Sequence, residues 1–356
     1  MTIGWISVRQ YPAGVFQPSA GDASQSVPWH LVCLFAGALV FFGLLAISVQ
    51  AQQQSVAPPQ AIQVDVSRVD VGVIVTDAKG NFVEGLQSND FQIFDAGAPQ
   101  PITDFAPVDA PAQVLLLLEA GPAVYMLSDS HLFVASALLA GLSPGDRAAI
   151  VVYNNAPTTV MNYTNDKGSV QDALSTIQFT LGFGDLNLGQ SLSTVLDWLT
   201  RVPGKKSIVL VSSGVDTSPS AVIQPLVTRL QTGDVRIFCV SMSGPLRNPK
   251  KGTKQQRRQS EQAFSQADAW LQTLAQASGG RAYFPENAKA FQETYAQIAQ
   301  LVRHEYSLAF APPKPDGAIH PIDVKVVPPA GSPNANPSTF RVDHRRAYVA
   351  PKPPGQ

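Results

Sequence analysis

Four short and almost uninterrupted apolar runs constrain the fold of this chain most strongly. In chain order they are VLLLLE, RAAIVVY, SIVLVSS and VRIFCVS. Runs that are apolar on both faces are typical of strands in a parallel sheet covered on both sides. Amphipathic stretches such as SVQDALSTIQF separate the runs and indicate helices. The sequence therefore predicts an α/β fold, in which a doubly wound and mostly parallel sheet is sandwiched by helices.

The two ends of this α/β part have a different pattern. Apolar residues occupy every second position from Ile62 to Val75, with one shift of register, and DFQIFDAG continues the alternation. Near the other end, HPIDVKVVPP and TFRVDHRRAYVAP also alternate. Alternation of period two is typical of half-buried strands. We therefore predict that the N- and C-terminal segments pair in one small β subdomain.

Composition excludes several classes of function. The chain has 356 residues, is 45% hydrophobic and 14% charged, and has a formal net charge of -1. It can bury a sizeable core, and no overall positive field favours nucleic acid. Its two cysteines, Cys33 and Cys239, are too few for a disulfide framework or a cysteine metal cluster.

The N-terminal region carries an export signal. Leu31–Val49 has no charged residue, and Val49-Gln50-Ala51 fits the small-x-small pattern of a signal peptidase site. We favour cleavage after Ala51, which would place the protein in the periplasm or outside the cell. The apolar segment is also about as long as a membrane helix, so an uncleaved anchor in the inner membrane is the alternative.

Several motifs in fixed order carry a resemblance to a known family. They are VTDAKGNFVEGLQSNDFQIFDAGAPQPITDF, LSPGDRAAIVVYNN, YTNDKGSVQDAL, LAQASGGRAYFP, EYSLAFAP and RRAYVAP. With these motifs the mature chain resembles the von Willebrand factor A-type proteins that acidobacteria export. The resemblance implies the following domains: 1–51 signal peptide or anchor, 52–61 linker, 62–110 N-terminal β unit, 111–312 von Willebrand A-like domain, 313–350 C-terminal strands joining the β unit, and 351–356 tail.

The resemblance also implies a place for a divalent metal, the metal-ion-dependent adhesion site. Such a site uses Asp-x-Ser-x-Ser after the first strand, a Thr in a second loop and an Asp after a later strand, because Mg²⁺ prefers about six oxygen ligands. The matching positions here are Glu119, Gly121, Ala123, Leu186 and Ser213. Four of these five have lost the usual chemistry. We therefore expect a degenerate site that binds no metal and no other cofactor.

Enzyme chemistry has little support. Ser212 and Ser213 lie in no G-x-S-x-G motif and have no histidine nearby in sequence. A displaced metal site formed by Glu119, Asp185 and Asp216 is a further alternative, but we favour a solvated or capped acid at Glu119. We predict no catalytic residues.

A basic segment remains unexplained by these features. Arg247–Arg258, RNPKKGTKQQRR, has six cations and no acid. We predict an exposed, solvated loop there in preference to a surface for an anionic partner.

The sequence therefore favours an exported, non-enzymatic module for protein–protein interaction. An unknown protein partner, with no nucleic acid, would bind loops at the carboxyl ends of the parallel strands. A membrane-anchored structural or assembly component of the cell envelope is the alternative. The candidate interaction rim comprises Ala120, Pro122, Val124, Asp185, Asn187, Ser212 and Asp216.

Overall fold

The computed structural model describes residues 68–121, 137–177, 185–247, 253–327 and 340–352. A six-stranded sheet forms the centre of the α/β part, in the order β10-β9-β8-β5-β6-β7. Its strands are β5 (Gln113–Glu119), β6 (Arg147–Tyr153), β7 (Pro157–Thr164), β8 (Lys206–Ser212), β9 (Val235–Ser241) and β10 (Arg281–Tyr283). All neighbours are parallel except β6 and β7. The predicted fold class is confirmed, because each of the four apolar runs forms a strand of this sheet.

Helices cover the central sheet. They are α1 (Lys167–Ser175), α2 (Leu188–Leu199), α3 (Ser220–Thr232), α4 (Ser243–Leu246), α5 (Lys254–Ala277) and α6 (Ala288–Leu301). A further helical segment spans residues 137–141. Side-chain caps begin two of the longer helices: Thr253 accepts from Gln256 N at α5, and Asn287 accepts from Ala290 N at α6.

Both faces of the central sheet are buried, as its apolar strands require. Leu116 and Leu118 of β5 face one core, which residues of α1, α6 and the 137–141 segment complete. Leu115 and Leu117 face the opposite core, built with α2, α3 and α5. Successive residues of a strand point to opposite faces, so a strand between two helical layers needs apolar residues at every position.

Two four-stranded sheets contain the chain ends. The first has the order β13-β1-β11-β4, and the second has the order β14-β12-β2-β3. Their strands are β1 (Val69–Thr76), β2 (Phe91–Asp95), β3 (Ala98–Gln100), β4 (Asp104–Asp109), β11 (His304–Phe310), β12 (Ile319–Val326), β13 (Arg341–His344) and β14 (Ala347–Val349). A 3-10 helix, Ser88–Asp90, precedes β2. The N- and C-terminal segments therefore pair with one another, as their alternation predicts.

Buried arginines join the antiparallel strands to the central sheet. Arg281 of β10 pairs with Asp343 of β13 and donates to Thr76 Oγ1 of β1 at 2.9 Å. Arg236 of β9 pairs with Glu305 of β11 at 3.1 Å. A guanidinium group has five N–H donors, so it can bind acceptors from several strands together.

The basic segment differs from its prediction as a loop. Lys254–Arg258 lies at the start of α5, where the Thr253–Gln256 capping box begins the helix. Arg247 lies at the end of α4 and pairs with Asp268. Residues 254–258 are nevertheless exposed, and 248–252 lie outside the described residues. The helix can begin here because the capping residues satisfy its first N–H groups. The charge pattern of the segment does not reveal this cap.

Several features that were interpreted from the sequence fall outside the described residues. They include the apolar segment Leu31–Val49, the cleavage site after Ala51 and Cys33. Among the described helices, none has the length and apolar character needed to span a membrane. Cys239 is buried in the core beside α5.

The buried side chain of His344 is expected to make the stability of the fold depend on pH. Its ring is buried between a donor and an acceptor: Nε2 lies 3.2 Å from Val324 N, and Nδ1 lies 2.7 Å from Arg345 O. The backbone N–H donates to Nε2, so Nδ1 carries the proton of a neutral imidazole. Burial lowers the pKa of His344 below its ordinary value.

We predict that the free energy of unfolding decreases as the pH falls below about 6.5, because the unfolded chain then binds a proton that folded His344 resists. This one group contributes a slope of up to about 1.4 kcal/mol per pH unit. Urea unfolding at pH 7.5 and 5.5 measures it. His344→Gln, which retains an acceptor and a donor, should reduce the dependence. An equal pH dependence in both proteins would contradict this role.

Candidate functional site

The carboxyl ends of three neighbouring parallel strands bring the candidate residues together. Glu119, Tyr153 and Ser212 are the last residues of β5, β6 and β8. Glu119 and Tyr153 are direct partners in the parallel register. Strands that run in the same direction end at the same edge of the sheet, so one side chain from each reaches a common point.

Glu119 lies at the centre of this point and is fully buried. Its Oε2 accepts from Ser213 N at 2.7 Å, Ser213 Oγ at 2.8 Å and Ser212 Oγ at 3.0 Å. The Tyr153 hydroxyl lies 3.3 Å from the same oxygen and 2.8 Å from Ser212 Oγ. Of the two interpretations of this acid, solvated or capped, the solvated one is wrong, because the glutamate side chain reaches across from β5 to donors at the end of β8 and directly after it.

Burial shifts the pKa values of the acidic groups in this cluster. Burial raises the pKa of Glu119, although the donors from Ser213 and Ser212 favour its ionised form. Burial also raises the pKa of Tyr153, and the neighbouring Glu119 charge raises it further. Tyr153 therefore remains a neutral phenol that can donate a hydrogen bond. Only one carboxyl oxygen is engaged, because Oε1 has no hydrogen-bond partner among the described residues.

Gly121, two residues after Glu119, lies close to the side chain of Leu186. A Cβ built on Gly121 would lie 3.0 Å from a methyl group of Leu186 and 3.2 Å from Glu119 Oε1. Leu186 therefore packs against the loop that follows β5. The adjacent Asn187 joins the loops that follow β6 and β8, since its amide nitrogen donates to Asn155 O at 3.1 Å and its Oδ1 accepts from Thr217 Oγ1 at 3.0 Å.

Asp216 is engaged by a different part of the fold. Its Oδ2 accepts from Gly189 N at 3.0 Å and from Trp270 Nε1 at 3.1 Å, and its Oδ1 accepts from Ser218 N at 2.8 Å. It therefore anchors the loop after β8 to α2 and α5. Within the described residues, Glu119, Asp185 and Asp216 are not brought together as a group of three ligands for a metal ion.

The residues at the family's metal positions do not fit a divalent cation. Glu119 Oε2 already accepts hydrogen bonds, and the Ser213 hydroxyl donates to it. Leu186 supplies methyl groups and Gly121 supplies no side chain. Mg²⁺ requires about six oxygen ligands, and these positions give it one engaged carboxyl group and a hydroxyl that already donates. Ala123, the fifth position, lies outside the described residues.

The accessible part of the rim is smaller than the sequence suggests. Ala120 and Ser212 are buried, so neither lies on the surface that a partner can reach. Pro122 and Val124 lie outside the described residues. The rim residues with accessible surface are Asp185, Asn187 and Asp216, and we extend the rim to Val215 and Thr217, which are exposed on either side of Asp216. Val215 is 46% exposed, which is high for an apolar side chain.

The sequence analysis did not identify two residues that contribute to this edge of the sheet. Tyr153 completes the Glu119 cluster, and the available signal is that both residues end adjacent parallel strands. After β9, Asp268 Oδ1 accepts from Ser241 Oγ at 3.0 Å and from Ser243 Oγ at 2.8 Å. The sequence alone cannot indicate that contact, because α5 brings Asp268 to the sheet edge from a distant part of the chain.

The α/β part matches a known family model. Residues 133–297 match the family model of the von Willebrand factor type A domain. The matched range begins after β5 and ends within α6. No curated relative matches the chain.

Solved structures with this architecture have low sequence identity to the chain. An aerotolerance-related membrane protein from Bacteroides fragilis is 15% identical, with a TM-score of 0.41, over 54% of this chain and 100% of its own. BatB from Bacteroides thetaiotaomicron is 13% identical, with a TM-score of 0.41, over 54% and 98%. A von Willebrand factor type A protein from Catenulispora acidiphila is 9% identical, with a TM-score of 0.42, over 81% and 74%.

We predict that Glu119→Leu lowers the free energy of unfolding by about 3 kcal/mol, because it leaves the Ser213 N–H and a serine hydroxyl without their acceptor at about 1–3 kcal/mol each. Glu119→Gln retains one acceptor oxygen and should lose about 1 kcal/mol. Urea unfolding at neutral pH measures both losses. Equal stability of Glu119→Leu and the wild type would show that the carboxyl group does not hold the loops.

Proposed function

We propose that this protein is an exported, non-enzymatic protein–protein interaction module of the von Willebrand A type that works without a metal ion. The observation that carries the proposal is the set of hydrogen bonds from Ser212 and Ser213 to Glu119 Oε2. These bonds connect the end of β5 directly to the loop after β8, at the position where the family would use a cation. A rim fixed in this way can present one surface without metal.

The geometry favours binding over catalysis. Ser212 and Ser213 are buried and donate to a carboxyl group, so a substrate has no access to either hydroxyl. Asp216 is held by three donors. A nucleophile needs both an accessible reactive atom and a base to activate it. The polar groups of this rim instead have structural partners.

The accessible rim offers a mixed surface to a partner. Val215 provides exposed apolar area, while Thr217 and Asn187 provide polar atoms next to it. Interaction surfaces combine an apolar contact with a surrounding polar margin. We propose that a protein partner contacts these loops.

The proposal of export rests on the N-terminal sequence. The uncharged Leu31–Val49 segment and the small-x-small pattern at Val49–Ala51 support a cleaved signal peptide and a mature chain that begins at Gln52. The length of the same segment favours the alternative, an envelope component held at the inner membrane. The two proposals share the interaction domain and differ in whether the segment stays attached.

We predict that millimolar Mg²⁺, Mn²⁺ or Ca²⁺ leaves the melting temperature unchanged, and that a chelator also has no effect. A ligand that binds the folded state stabilises it by about 2.7 kcal/mol at a hundredfold excess over Kd, so thermal unfolding would reveal binding. Stabilisation of the wild type by micromolar Mn²⁺ would contradict a metal-free rim.

A variant with the family's ligands is the positive control for this measurement. It combines Glu119→Asp, Gly121→Ser, Ala123→Ser, Leu186→Thr and Ser213→Asp. The shorter threonine also provides space for the new serine, since a Cβ at Gly121 lies 3.0 Å from a Leu186 methyl group. This variant should show a metal-dependent rise in melting temperature.

We predict that envelope proteins captured on the full-length wild type are lost with Val215→Asp and retained with Val327→Asp. Both valines are 46% exposed, so the two substitutions are matched in residue type and exposure, and only the first lies on the rim. A buried charge at an interface costs several kcal/mol, whereas the same charge in solvent costs little. Quantitative mass spectrometry after cross-linking measures the loss.

Equal capture by the two variants would place the interaction elsewhere. N-terminal sequencing of the same envelope preparation separates the two locations. A chain that begins at Gln52 supports export with cleavage. A full-length chain that stays in the membrane fraction supports the anchored component.

A further inference from the structure

A polar cleft lies at the amino ends of the parallel strands, at the opposite edge of the sheet from the rim. It has a volume of about 220 Å³. The segments that begin β8 and β9 form one side, and residues of β1, β11 and the segment after β13 form the other. Its position brings charged residues from distant parts of the chain together.

Three cations of this cleft are largely buried. The exposed fractions of their side chains are 13% for Lys205, 10% for Lys206 and 9% for Arg236. Burial removes much of the hydration that stabilises a charge, so buried cations need nearby negative charge. Burial lowers the pKa of Lys205 to about 8, and the positive charge of Arg236 also lowers it, whereas Glu305 opposes the change.

The cleft has fewer buried acids than buried cations. Glu305 is the buried acid, with 16% of its side chain exposed, and it pairs with both Lys205 and Arg236. Asp234 pairs with Lys206 but is 73% exposed, and Asp70 is 57% exposed. Water screens an exposed charge strongly. The buried part of the cleft therefore has an excess of positive charge.

The residues that line the cleft also have hydrogen-bond donors without an acceptor. Arg345 lines the same cleft, and its terminal nitrogens donate to Thr232 O at 3.1 Å and Asp70 O at 2.7 Å. Its Nε is buried and has no hydrogen-bond partner within the described part of the chain. Lys205 Nζ has three N–H groups, and its contacts there are Arg303 O at 3.1 Å and Glu305 Oε2 at 3.4 Å. A buried donor without an acceptor costs about 1–3 kcal/mol.

We propose that this cleft binds the oxyanion group of a small molecule, either a carboxylate or a phosphate. Such a group supplies the negative charge that the buried cations lack and accepts several hydrogen bonds at once. A glycine keeps the charged centre compact, because a Cβ on Gly72 would lie 2.8 Å from Glu305 Oε2. The site is separate from the rim and does not depend on the proposed protein interaction.

The test is isothermal titration of the full chain with sodium phosphate and, in a second arm, with sodium succinate. Sodium chloride keeps the ionic strength constant, because general screening would otherwise mimic binding. At least one anion should bind saturably to the wild type and raise its melting temperature. The stronger arm identifies whether phosphate or carboxylate is the preferred group.

Substitutions assign the binding to the cleft. Lys205→Gln and Arg345→Gln should each weaken binding about tenfold or more, since a hydrogen bond from a charged group contributes about 1.5–3 kcal/mol. Lys289→Gln removes a cation that is 85% exposed on α6, and it should bind as the wild type does. If the first two variants fail to fold, Lys206→Gln replaces them, because Lys206 pairs with the exposed Asp234.

The proposal is overturned if neither anion binds saturably, or if the cleft variants and Lys289→Gln bind with equal affinity. A rise in melting temperature that is the same in all the proteins would indicate a general salt effect. The loss of partner capture by Val215→Asp concerns the opposite edge of the sheet, so the two proposals can fail independently.

Discussion

The buried carboxyl group of Glu119 is the interaction on which the candidate site depends. It ends a strand in which Val114–Leu118 are all apolar, and it accepts hydrogen bonds from Ser212 and Ser213. The cost of burying it is reduced because two consecutive serines supply donors to one oxygen, and Tyr153 lies beside them. The same hydrogen bonds hold the ends of β5 and β8 at a fixed separation.

This arrangement gives a physical reason for the proposed metal-free rim. A divalent cation joins loops by collecting their oxygens around one charge. Here one loop provides the acceptor and the other provides the donors, so the connection is made by hydrogen bonds. The carboxyl group is fully buried, and burial in a low-dielectric interior strengthens those bonds. Rebuilding a metal site would therefore require changes in several loops together.

Charge is arranged differently at the two edges of the central sheet. At the carboxyl edge, neutral hydroxyl groups and one backbone N–H group, that of Ser213, donate to Glu119. At the amino edge, Arg236 and Lys205 meet the antiparallel strands through a single buried acid, Glu305. Farther along, the pair of Arg281 and Asp343 joins β10 to β13. Ion pairs thus connect the central sheet to the strands from the chain ends, whereas hydrogen bonds close the rim.

The sequence by itself determined the parallel strands, because a strand between two helical layers must be apolar on both faces, as Val114–Leu118 is. Alternation likewise determined the antiparallel strands at the chain ends. The sequence also revealed which oxygen ligands are missing at Gly121 and Leu186, since that depends only on side-chain chemistry. Only the tertiary structure decided that Glu119 is buried and bonded to Ser213, because its donors come from a strand distant in sequence. Burial and partners depend on which strands are neighbours, and a local pattern does not contain that information.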